Sequence, residues 1–323
     1  SEEAMSGEIM KIYIPEPIAE AGEKYLEFQG YEIFRGSGQT DKASLIRDIA
    51  ESDAMILRTA KVDEEVLEAG KKLRIVARHG AGYDNLDVKA AKQKGIITTY
   101  SPDTTALSVA ETTITLLLML AKKVKRMETE LRKDNFSYKF SHKGMDVSGK
   151  TLGIIGLGKI GKMVAKKAAI GLDMKVISYI PRPEGKEIPE YVKAVPLEQL
   201  LKESDFISLH VPGGAKNQNL IGKKELEQMK KSVFLLNLSR GGVVNESEFA
   251  EAVRKKQIAG GALDVFAKEP PEITDDIFKL ENVILTPHIG SNTEECMERI
   301  AMDVARDVHL VLSGEDPRHP IRQ

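Results

Sequence analysis

The sequence predicts an α/β protein built from two doubly wound parallel sheets. Short apolar segments of strand length alternate with segments of helical spacing along residues 9–102. A second alternation begins near residue 151, where a strand passes through a glycine-rich turn into a helix. Such alternation is typical of a parallel sheet covered by helices. With 323 residues the chain is long enough for two domains of this kind.

The first alternation contains short strands separated by helices. Strands are expected at 9–14, 31–34, 54–57, 73–77 and 95–98. Helices are expected at 18–28, 41–51, 62–69 and 88–93, and Asp41 is suited to cap the second of them. A long helical stretch at 104–132 and a polar, basic loop at 133–150 follow.

The second alternation opens with Gly156-Leu157-Gly158-Lys159-Ile160-Gly161, which lies where a strand meets a helix. This setting is the one that a dinucleotide-binding fingerprint requires. Its glycines permit the turn, the approach of a pyrophosphate and close helix packing, and the phosphates would lie over the helix N-terminus. A glycine-rich turn in an unrelated α/β protein is the alternative. The remaining strands are expected at 175–179, 206–210, 233–238, 261–265 and 283–285, and the remaining helices at 162–170, 197–203, 223–228, 246–255 and 293–313.

Composition restricts the classes of function. Hydrophobic residues make up 41% and charged residues 30%, and the net charge is -2 with both signs mixed, so no basic stripe for nucleic acid is present. The longest apolar run, 116–121, is too short to cross a bilayer. The single cysteine, Cys296, excludes an intramolecular disulfide and fits a reducing compartment. We therefore expect a cytoplasmic protein without a signal peptide, a membrane partner or a metal site.

Three stretches place ionisable side chains at predicted strand ends. Arg240 precedes two glycines, so its guanidinium could hold a carboxylate in two parallel hydrogen bonds. Glu269 and His288 follow the next two strands. Taken singly, each residue also fits a role without catalysis, as a loop-capping arginine, a solvated glutamate or a structural histidine. Together they suit hydride transfer to a 2-oxo acid, with the arginine as anchor, the histidine as proton donor and the glutamate orienting the histidine.

At these motifs the chain resembles the D-isomer-specific 2-hydroxyacid dehydrogenases. The resemblance rests on the glycine turn, on 237–242, 264–270 and 287–290, and on Arg78-His79-Gly80-Ala81-Gly82-Tyr83-Asp84-Asn85-Leu86-Asp87. It covers nearly the whole chain, with the motifs in the family's order and spacing. It implies a Rossmann cofactor domain, 103–290, inserted in a flavodoxin-like substrate domain formed by 8–102 and 291–323. It also implies a cleft between the domains and a homodimer formed through the long helix.

The resemblance further implies a role for each matching residue. Arg240 would bind the substrate carboxylate and carbonyl, His288 would be the acid/base, and Glu269 would pair with it. The backbone of Gly80, Ala81 and Gly82 would hold the carboxylate. The cofactor would be bound by Gly156, Gly158, Lys159, Ile160, Gly161, Ile180, Arg182, His210, Val211, Pro212, Asn217, Leu238, Ser239, Asp264 and Gly290.

The position that should take the adenosine ribose departs from the usual pattern. The second strand normally ends with an acid that binds the ribose hydroxyls. Here Ile180 occupies the expected position, and its side chain cannot accept a hydrogen bond. Arg182 follows with Lys186 nearby, and an arginine there suits a 2′-phosphate. The sequence therefore fits either NAD or NADP as the cofactor. Gly213-Gly214-Ala215 also replaces a bulkier, hydroxyl-bearing stretch of many relatives.

Two further arginines, Arg58 and Arg78, lie at the ends of first-series strands. They could bind a phosphate or a second carboxylate, or pair with carboxylates of their own domain. The run 57–62 resembles phosphoglycerate dehydrogenases, here expected without a regulatory domain, so 3-phosphoglycerate/3-phosphohydroxypyruvate is the first substrate candidate. Glyoxylate and hydroxypyruvate are alternatives. A nicotinamide-sensing corepressor, or a dinucleotide-binding scaffold without chemistry, is the alternative from another class, although the complete Arg-Glu-His set disfavours the corepressor.

Overall fold

The computed structural model describes residues 7–322. The chain forms two compact units: residues up to Thr105 and from Thr293 onward form the first, and Ala106–Asn292 forms the second. Each unit contains one parallel sheet, of five strands in the first and seven in the second. This architecture confirms the predicted α/β class with two doubly wound sheets. Among the described residues, no helix combines the length and apolar character that a membrane crossing needs.

The first sheet has the strand order β2-β1-β3-β4-β5, which is the flavodoxin-like order. Its strands are β1 (Lys11–Tyr13), β2 (Glu32–Phe34), β3 (Ala54–Leu57), β4 (Ile75–Arg78) and β5 (Ile97–Thr99). They are connected through α1 (Glu20–Phe28), α2 (Lys42–Ile49), α3 (Glu64–Ala69) and α4 (Val88–Gln93). The side chain of Asp41 accepts a hydrogen bond from the Ser44 amide at 3.1 Å, which confirms it as the cap of α2.

The second sheet has the order β12-β11-β10-β9-β6-β7-β8, which is a Rossmann order extended by one strand. Its strands are β6 (Thr151–Ile155), β7 (Lys175–Tyr179), β8 (Val192–Ala194), β9 (Phe206–Leu209), β10 (Phe234–Asn237), β11 (Gly260–Leu263) and β12 (Val283–Leu285). Its helices are α5 (Ala106–Lys122), α6 (Val124–Arg132), α7 (Tyr138–Ser141), α8 (Lys159–Lys166), α9 (Leu197–Glu203), α10 (Lys223–Gln228) and α11 (Glu246–Arg254).

The long helical stretch predicted at 104–132 is helical in the structure but is divided into two helices, α5 and α6. Lys123 separates them with a left-handed φ of 56°. The carbonyl of Ala121, near the end of α5, accepts a hydrogen bond from the Met145 amide at 2.8 Å. A partner from a distant loop thus satisfies a carbonyl that a continuous helix would satisfy internally.

The last helix, α12 (Glu294–Leu312), returns to the first unit. Thr293 caps it by accepting from the Cys296 amide at 3.0 Å. Its buried side chains Ile300, Val304 and Val308 form one core cluster with Ile12 and Ile56 of the first sheet. A separate cluster covers the opposite face of that sheet. Burial on both faces is typical of parallel sheets and explains their continuous apolar strands.

The register of the second sheet determines where the polar loops lie. Asn237, Leu263 and Leu285 are the last residues of β10, β11 and β12, and they are direct neighbours across the ladder. The loops that leave these strands therefore start side by side at one edge of the sheet. In doubly wound folds the carboxyl edge of the strands is the edge that binds ligands.

Candidate active site

A histidine and a carboxylate form a pair at this edge. His288 Nδ1 lies 2.7 Å from Glu269 Oε2. The other oxygen of Glu269 accepts a hydrogen bond from the Phe266 amide at 3.1 Å, which fixes the orientation of the carboxylate. The His288 side chain is half exposed, so its ring remains accessible to a ligand. With Nδ1 engaged, Nε2 is the ring nitrogen that remains for proton exchange with a substrate.

The electrostatics of the pair favour its charged form. The hydrogen bond from His288 to Glu269 raises the pKa of the imidazole, and the charges of Glu269 and Asp264 add to this against burial and the charge of Arg240. Burial alone would raise the pKa of Glu269, but its hydrogen bond and charge interaction with His288 outweigh burial and lower it. The pair therefore favours the protonated form of His288 and the ionised form of Glu269.

This charge state gives a pH prediction. For the 2-oxo acid reduction expected from the sequence, the rate should stay constant while His288 is protonated and fall as the pH rises through its raised pKa. Glu269→Gln removes the stabilising carboxylate, so the midpoint should move to lower pH and the oxidation profile should move with it. The measurement is kcat against pH in both directions, between about pH 5 and pH 10.

Glu272→Gln is the matched control for this prediction, because Glu272 is an exposed glutamate a few residues further on that pairs with Lys268. Its profile should coincide with that of the unmodified protein. A Glu269→Gln midpoint equal to that of the control would contradict the assigned pairing.

The backbone beneath His288 is held by Asp264, which is almost completely buried. Asp264 Oδ1 accepts from the Thr286 hydroxyl and the Ile289 amide, both at 2.7 Å, and Oδ2 accepts from the Gly290 amide at 2.9 Å. His288 itself has a left-handed φ of 53°, which a non-glycine residue rarely adopts. Asp264 therefore fixes the loop that presents the imidazole. A contact of Asp264 or Gly290 with a cofactor stays a prediction.

Asn237 shapes the turn that carries Arg240. Its side-chain oxygen accepts from the Ser239 amide at 3.0 Å and the Ser239 hydroxyl at 2.7 Å, and its Nδ2 donates to the Arg240 carbonyl at 3.1 Å. Arg240 Nη1 donates to the Ser239 carbonyl at 2.9 Å. No role for Asn237 was predicted from the sequence. An amide at the end of an otherwise apolar strand was the signal for it.

Two glycines bring neighbouring loops close to Arg240. A Cβ on Gly241 would overlap the Phe266 carbonyl oxygen, so the arginine turn and the Glu269 loop are in backbone contact. A Cβ on Gly213 would lie 3.2 Å from Arg240 Cγ. The departure from the usual sequence at 213–215 thus permits a close approach of that loop to the arginine.

The glycine turn after β6 meets the steric requirements of a pyrophosphate site. Gly156 has a φ of 93°, and a Cβ there would overlap the His210 carbonyl oxygen. A Cβ on Gly161 would overlap the Gly156 carbonyl oxygen. Gly158, in contrast, precedes the first turn of α8, and a Cβ on it would meet no other described atom within 4 Å. The protein itself needs glycine at 156 and 161, whereas at 158 the open space fits a phosphate approaching the helix N-terminus.

This difference gives a paired prediction. Gly158→Ala should leave the melting temperature unchanged and weaken NADH or NADPH binding by about tenfold, since only a bound pyrophosphate would meet the added methyl. Gly161→Ala should instead lower stability by about 1–3 kcal/mol through overpacking. Thermal unfolding and cofactor fluorescence titration separate the two effects. Normal cofactor affinity in Gly158→Ala would show that no ligand approaches that glycine.

The other predicted cofactor residues lie along the carboxyl ends of β6, β7, β9 and β10. The ring of His210 lies 2.7 Å from the Ser208 hydroxyl through Nε2, and burial lowers the pKa of His210 to about 4, which keeps it neutral. Asn217 Nδ2 donates to the Pro212 carbonyl at 2.7 Å and so shapes the 210–217 loop. Val211, Leu238 and Ser239 are buried, whereas Lys159 is exposed and Ile160 half-buried at the start of α8.

The ribose position is apolar in the structure as well. Ile180 follows β7 and is packed into a core cluster, with 6% of its surface exposed. Arg182 and Lys186 are exposed in the segment that follows. The side chain at the usual acidic position therefore faces the interior, and two positive charges are available close by in sequence.

The first unit contains the other predicted substrate residues. Arg58 Nη1 donates to the Pro17 carbonyl at 2.6 Å, and Arg78 Nε donates to Asn85 Oδ1 at 3.0 Å. Asn85 Nδ2 in turn donates to the carbonyls of Arg58 and Ala60, so one amide ties the ends of β3 and β4 together. Asn85 is a second supporting residue for which no role was predicted from the sequence.

The loop after Arg78 is also well defined. Gly80 has a φ of 146°, and its carbonyl accepts from the Ser101 amide at 2.9 Å, while Ala81 and Gly82 are partly exposed. Burial, and then the charges of Arg58 and Arg78, lower the pKa of His79 to about 3. His79 is therefore neutral, and the positive charge around it comes from Arg58 and Arg78.

The sheet order and the glycine turn place the second unit among the dinucleotide-binding domains of oxidoreductases. Comparison with known proteins agrees, since residues 114–290 match the NAD-binding domain of the D-isomer-specific 2-hydroxyacid dehydrogenases. The chain belongs to this family, which comprises NAD(P)-dependent oxidoreductases that act on CH–OH groups. The resemblance stated from the sequence is thereby confirmed.

Three individual proteins show what this chain is similar to. The D-3-phosphoglycerate dehydrogenase of Archaeoglobus fulgidus is 36% identical over 97% of this chain, and the chain spans only 59% of that relative's length. The TT0316 protein of Thermus thermophilus has a TM-score of 0.89 and 31% identity, over 97% of this chain and all of that one. The NADPH-dependent glyoxylate/hydroxypyruvate reductase of Sinorhizobium meliloti, solved with NADP and malonate, has a TM-score of 0.85 and 25% identity over 97% of both chains.

Proposed function

We propose that the protein interconverts a 2-oxo acid and a D-2-hydroxy acid, with 3-phosphohydroxypyruvate and 3-phosphoglycerate as the first substrate pair. The observation that carries the proposal is the 2.7 Å pair of His288 and Glu269 next to the Arg240 turn, at the carboxyl edge of a dinucleotide-binding sheet. In this proposal residues 103–290 bind the cofactor, and residues 8–102 with 291–323 bind the substrate.

Each side chain has one task in the proposed reaction. Arg240 binds the substrate carboxylate and polarises the carbonyl with its guanidinium. His288 donates the proton on Nε2 to the carbonyl oxygen, which becomes the hydroxyl, and takes it back in the reverse direction. Glu269 holds the ring by Nδ1 and stabilises the imidazolium. The bound nicotinamide supplies or accepts the hydride.

The second part of the proposal concerns the phosphate of the substrate. Arg58 and Arg78 of the first unit are the residues that would take it, together with the backbone of Gly80, Ala81 and Gly82. Their hydrogen bonds to Pro17 and Asn85 hold the two guanidiniums at the ends of β3 and β4, and support for a phosphorylated substrate comes from the similarity to an archaeal phosphoglycerate dehydrogenase. Glyoxylate/hydroxypyruvate reduction is the second candidate, which the similarity to the Sinorhizobium reductase favours.

For the cofactor, we propose that Arg182 and Lys186 select NADP through its 2′-phosphate. The apolar, buried Ile180 removes the acid that would repel this phosphate. Arg182→Gln should raise KM for NADPH about tenfold and leave KM for NADH unchanged. Arg254→Gln, at an exposed arginine of α11, is the control. If the unmodified protein prefers NADH over NADPH, the proposed selection of NADP is wrong.

The experiment that tests the function measures initial rates of NADH and NADPH oxidation with 3-phosphohydroxypyruvate, hydroxypyruvate and glyoxylate in parallel. We expect the phosphorylated substrate to be preferred and Arg58→Gln to reduce that preference about 10-fold to 100-fold. Turnover of only the small oxo acids would select the second candidate. Cofactor binding without turnover of any oxo acid would contradict the proposed activity.

A homodimer is proposed in addition. Val124, Leu131, Phe136 and Phe140 expose apolar side chains along α6, α7 and the segment that joins them. Exposed apolar side chains grouped in one region are typical of subunit interfaces. Light scattering should give twice the mass of the 35.6 kDa chain. A monomer at micromolar concentration would contradict the proposal.

A further inference from the structure

The first residue of α11, Glu246, contacts the loop that carries Glu269. Glu246 Oε2 accepts a hydrogen bond from the Ala267 amide at 2.6 Å. The preceding amide, that of Phe266, donates to Glu269 Oε1 at 3.1 Å. Two consecutive amides of one loop are therefore bound by two carboxylates, one from the loop itself and one from a helix 21 residues earlier in the chain.

The opposite side of the same peptide faces the arginine turn. Gly241 lies so close to the Phe266 carbonyl oxygen and the Ala267 nitrogen that a Cβ on it would overlap both. The Phe266–Ala267 peptide is thus held between Glu246 on one side and the residue after Arg240 on the other. Any movement of this peptide would change the position of Glu269 relative to both Arg240 and His288.

Glu246 is not needed to cap its own helix. Asn245 caps α11 by accepting from the Glu248 amide at 3.1 Å. Glu248, the other acid of the first turn, accepts from the Lys223 amide at the start of α10. The two acids of one helical turn therefore serve two different loops, and only Glu246 reaches the loop of Glu269.

We propose that Glu246 is a positioning residue, which holds the Ala267 amide so that Glu269 stays within hydrogen-bond distance of His288. The inference rests on the proposed function, because it concerns the acid/base pair of that reaction. Glu246 acts only through the loop. No atom of it is assigned to the substrate or the cofactor.

The surroundings of Glu246 are acidic. Burial raises the pKa of Glu246, and the charges of Asp275 and Glu269 raise it further, whereas the Ala267 amide lowers it. A cavity of about 410 Å³ beside it is lined by the further acids Glu272 and Asp276, against the cation Lys268. The negative charge of Glu246 is therefore costly at this position. The hydrogen bond to Ala267 offsets part of that cost.

The test compares three variants of Glu246 with one control. Glu246→Ala removes the acceptor, Glu246→Asp keeps the charge but shortens the reach, and Glu246→Gln keeps an acceptor of equal length. Glu248→Ala is the matched control, because it removes an acid of the same helical turn that binds a backbone amide elsewhere. The readouts are the pKa of His288 from NMR titration without ligands, and kcat and KM for the oxo acid.

We expect Glu246→Ala and Glu246→Asp to lower the pKa of His288 toward its ordinary value and to reduce kcat about tenfold, with KM nearly unchanged. Glu246→Gln should retain most of the raised pKa of His288 and most of kcat. Glu248→Ala should lose stability without either effect. If the pKa of His288 in both Glu246→Ala and Glu246→Asp equals that of the unmodified protein, the inference is wrong. Because the titration needs no turnover, an unmodified protein that reduces no oxo acid would overturn the proposed function and leave this test intact.

Discussion

Replacing His288 with glutamine should reduce kcat for 2-oxo acid reduction by about 10²-fold to 10⁴-fold, which is the range that a positioned general acid contributes. Glutamine keeps a polar side chain of similar length, but its amide is not acidic enough to act as a general acid near neutral pH. Glu269 would then lose its charged partner, although Phe266 still binds its other oxygen. KM for the oxo acid should change little, because Arg240 is proposed to supply carboxylate binding.

The measurement is steady-state kcat near neutral pH, with cofactor affinity determined separately by fluorescence. His142→Gln is the matched control, because His142 belongs to the same unit but stacks on Tyr138 instead of pairing with a carboxylate. Its kcat should equal that of the unmodified protein. If His288→Gln retains more than about a tenth of the activity, another group donates the proton.

Replacing Arg240 with lysine should lower kcat/KM by about 10²-fold to 10³-fold, although lysine keeps the positive charge. A guanidinium can bind a carboxylate with two parallel hydrogen bonds, whereas an ammonium is a point charge on a flexible stem. The loss should appear in both KM and kcat, because the guanidinium is proposed to bind the carboxylate and to polarise the reacting carbonyl. Arg254→Lys, at an exposed site of α11, should change neither.

Arg240→Gln adds a test that lysine cannot provide. The positive charge of Arg240 opposes protonation of His288. Its removal should therefore raise the pKa of His288, and the reduction profile should extend to higher pH as kcat falls. An unshifted profile in Arg240→Gln would show that the guanidinium lies too far from the imidazole to act on it.

The fold class followed from the sequence because strand and helix periods alternate without interruption over most of the chain. The candidate site followed from the same logic. Once three parallel strands are adjacent, the residues after Asn237, Leu263 and Leu285 must start at one edge. The elements that escaped prediction are those set by distant contacts. Lys123 breaks a helix without a glycine or proline, and the edge strand β8 is short and mostly exposed.

The supporting residues escaped prediction for a similar reason. Asn85 and Glu246 act through carbonyls and amides of other segments, and no local pattern marks such partners. The side chain of Asn237 contacts its own turn, and its amide at the end of an apolar strand was the local signal for it. Ile180 was recognised from the sequence only because an acid was expected there. Its packing into the core had to be observed.

The return of α12 to the first sheet has a consequence for synthesis on the ribosome. Residues 7–105 emerge before the second unit, but Ile12 and Ile56 lack their packing partners Ile300 and Val304 until α12 has been made. The second unit is continuous in sequence and can fold as soon as it has emerged. The nascent chain should therefore acquire protease resistance first in residues 106–292, and residues 7–105 should remain a chaperone substrate until α12 has emerged.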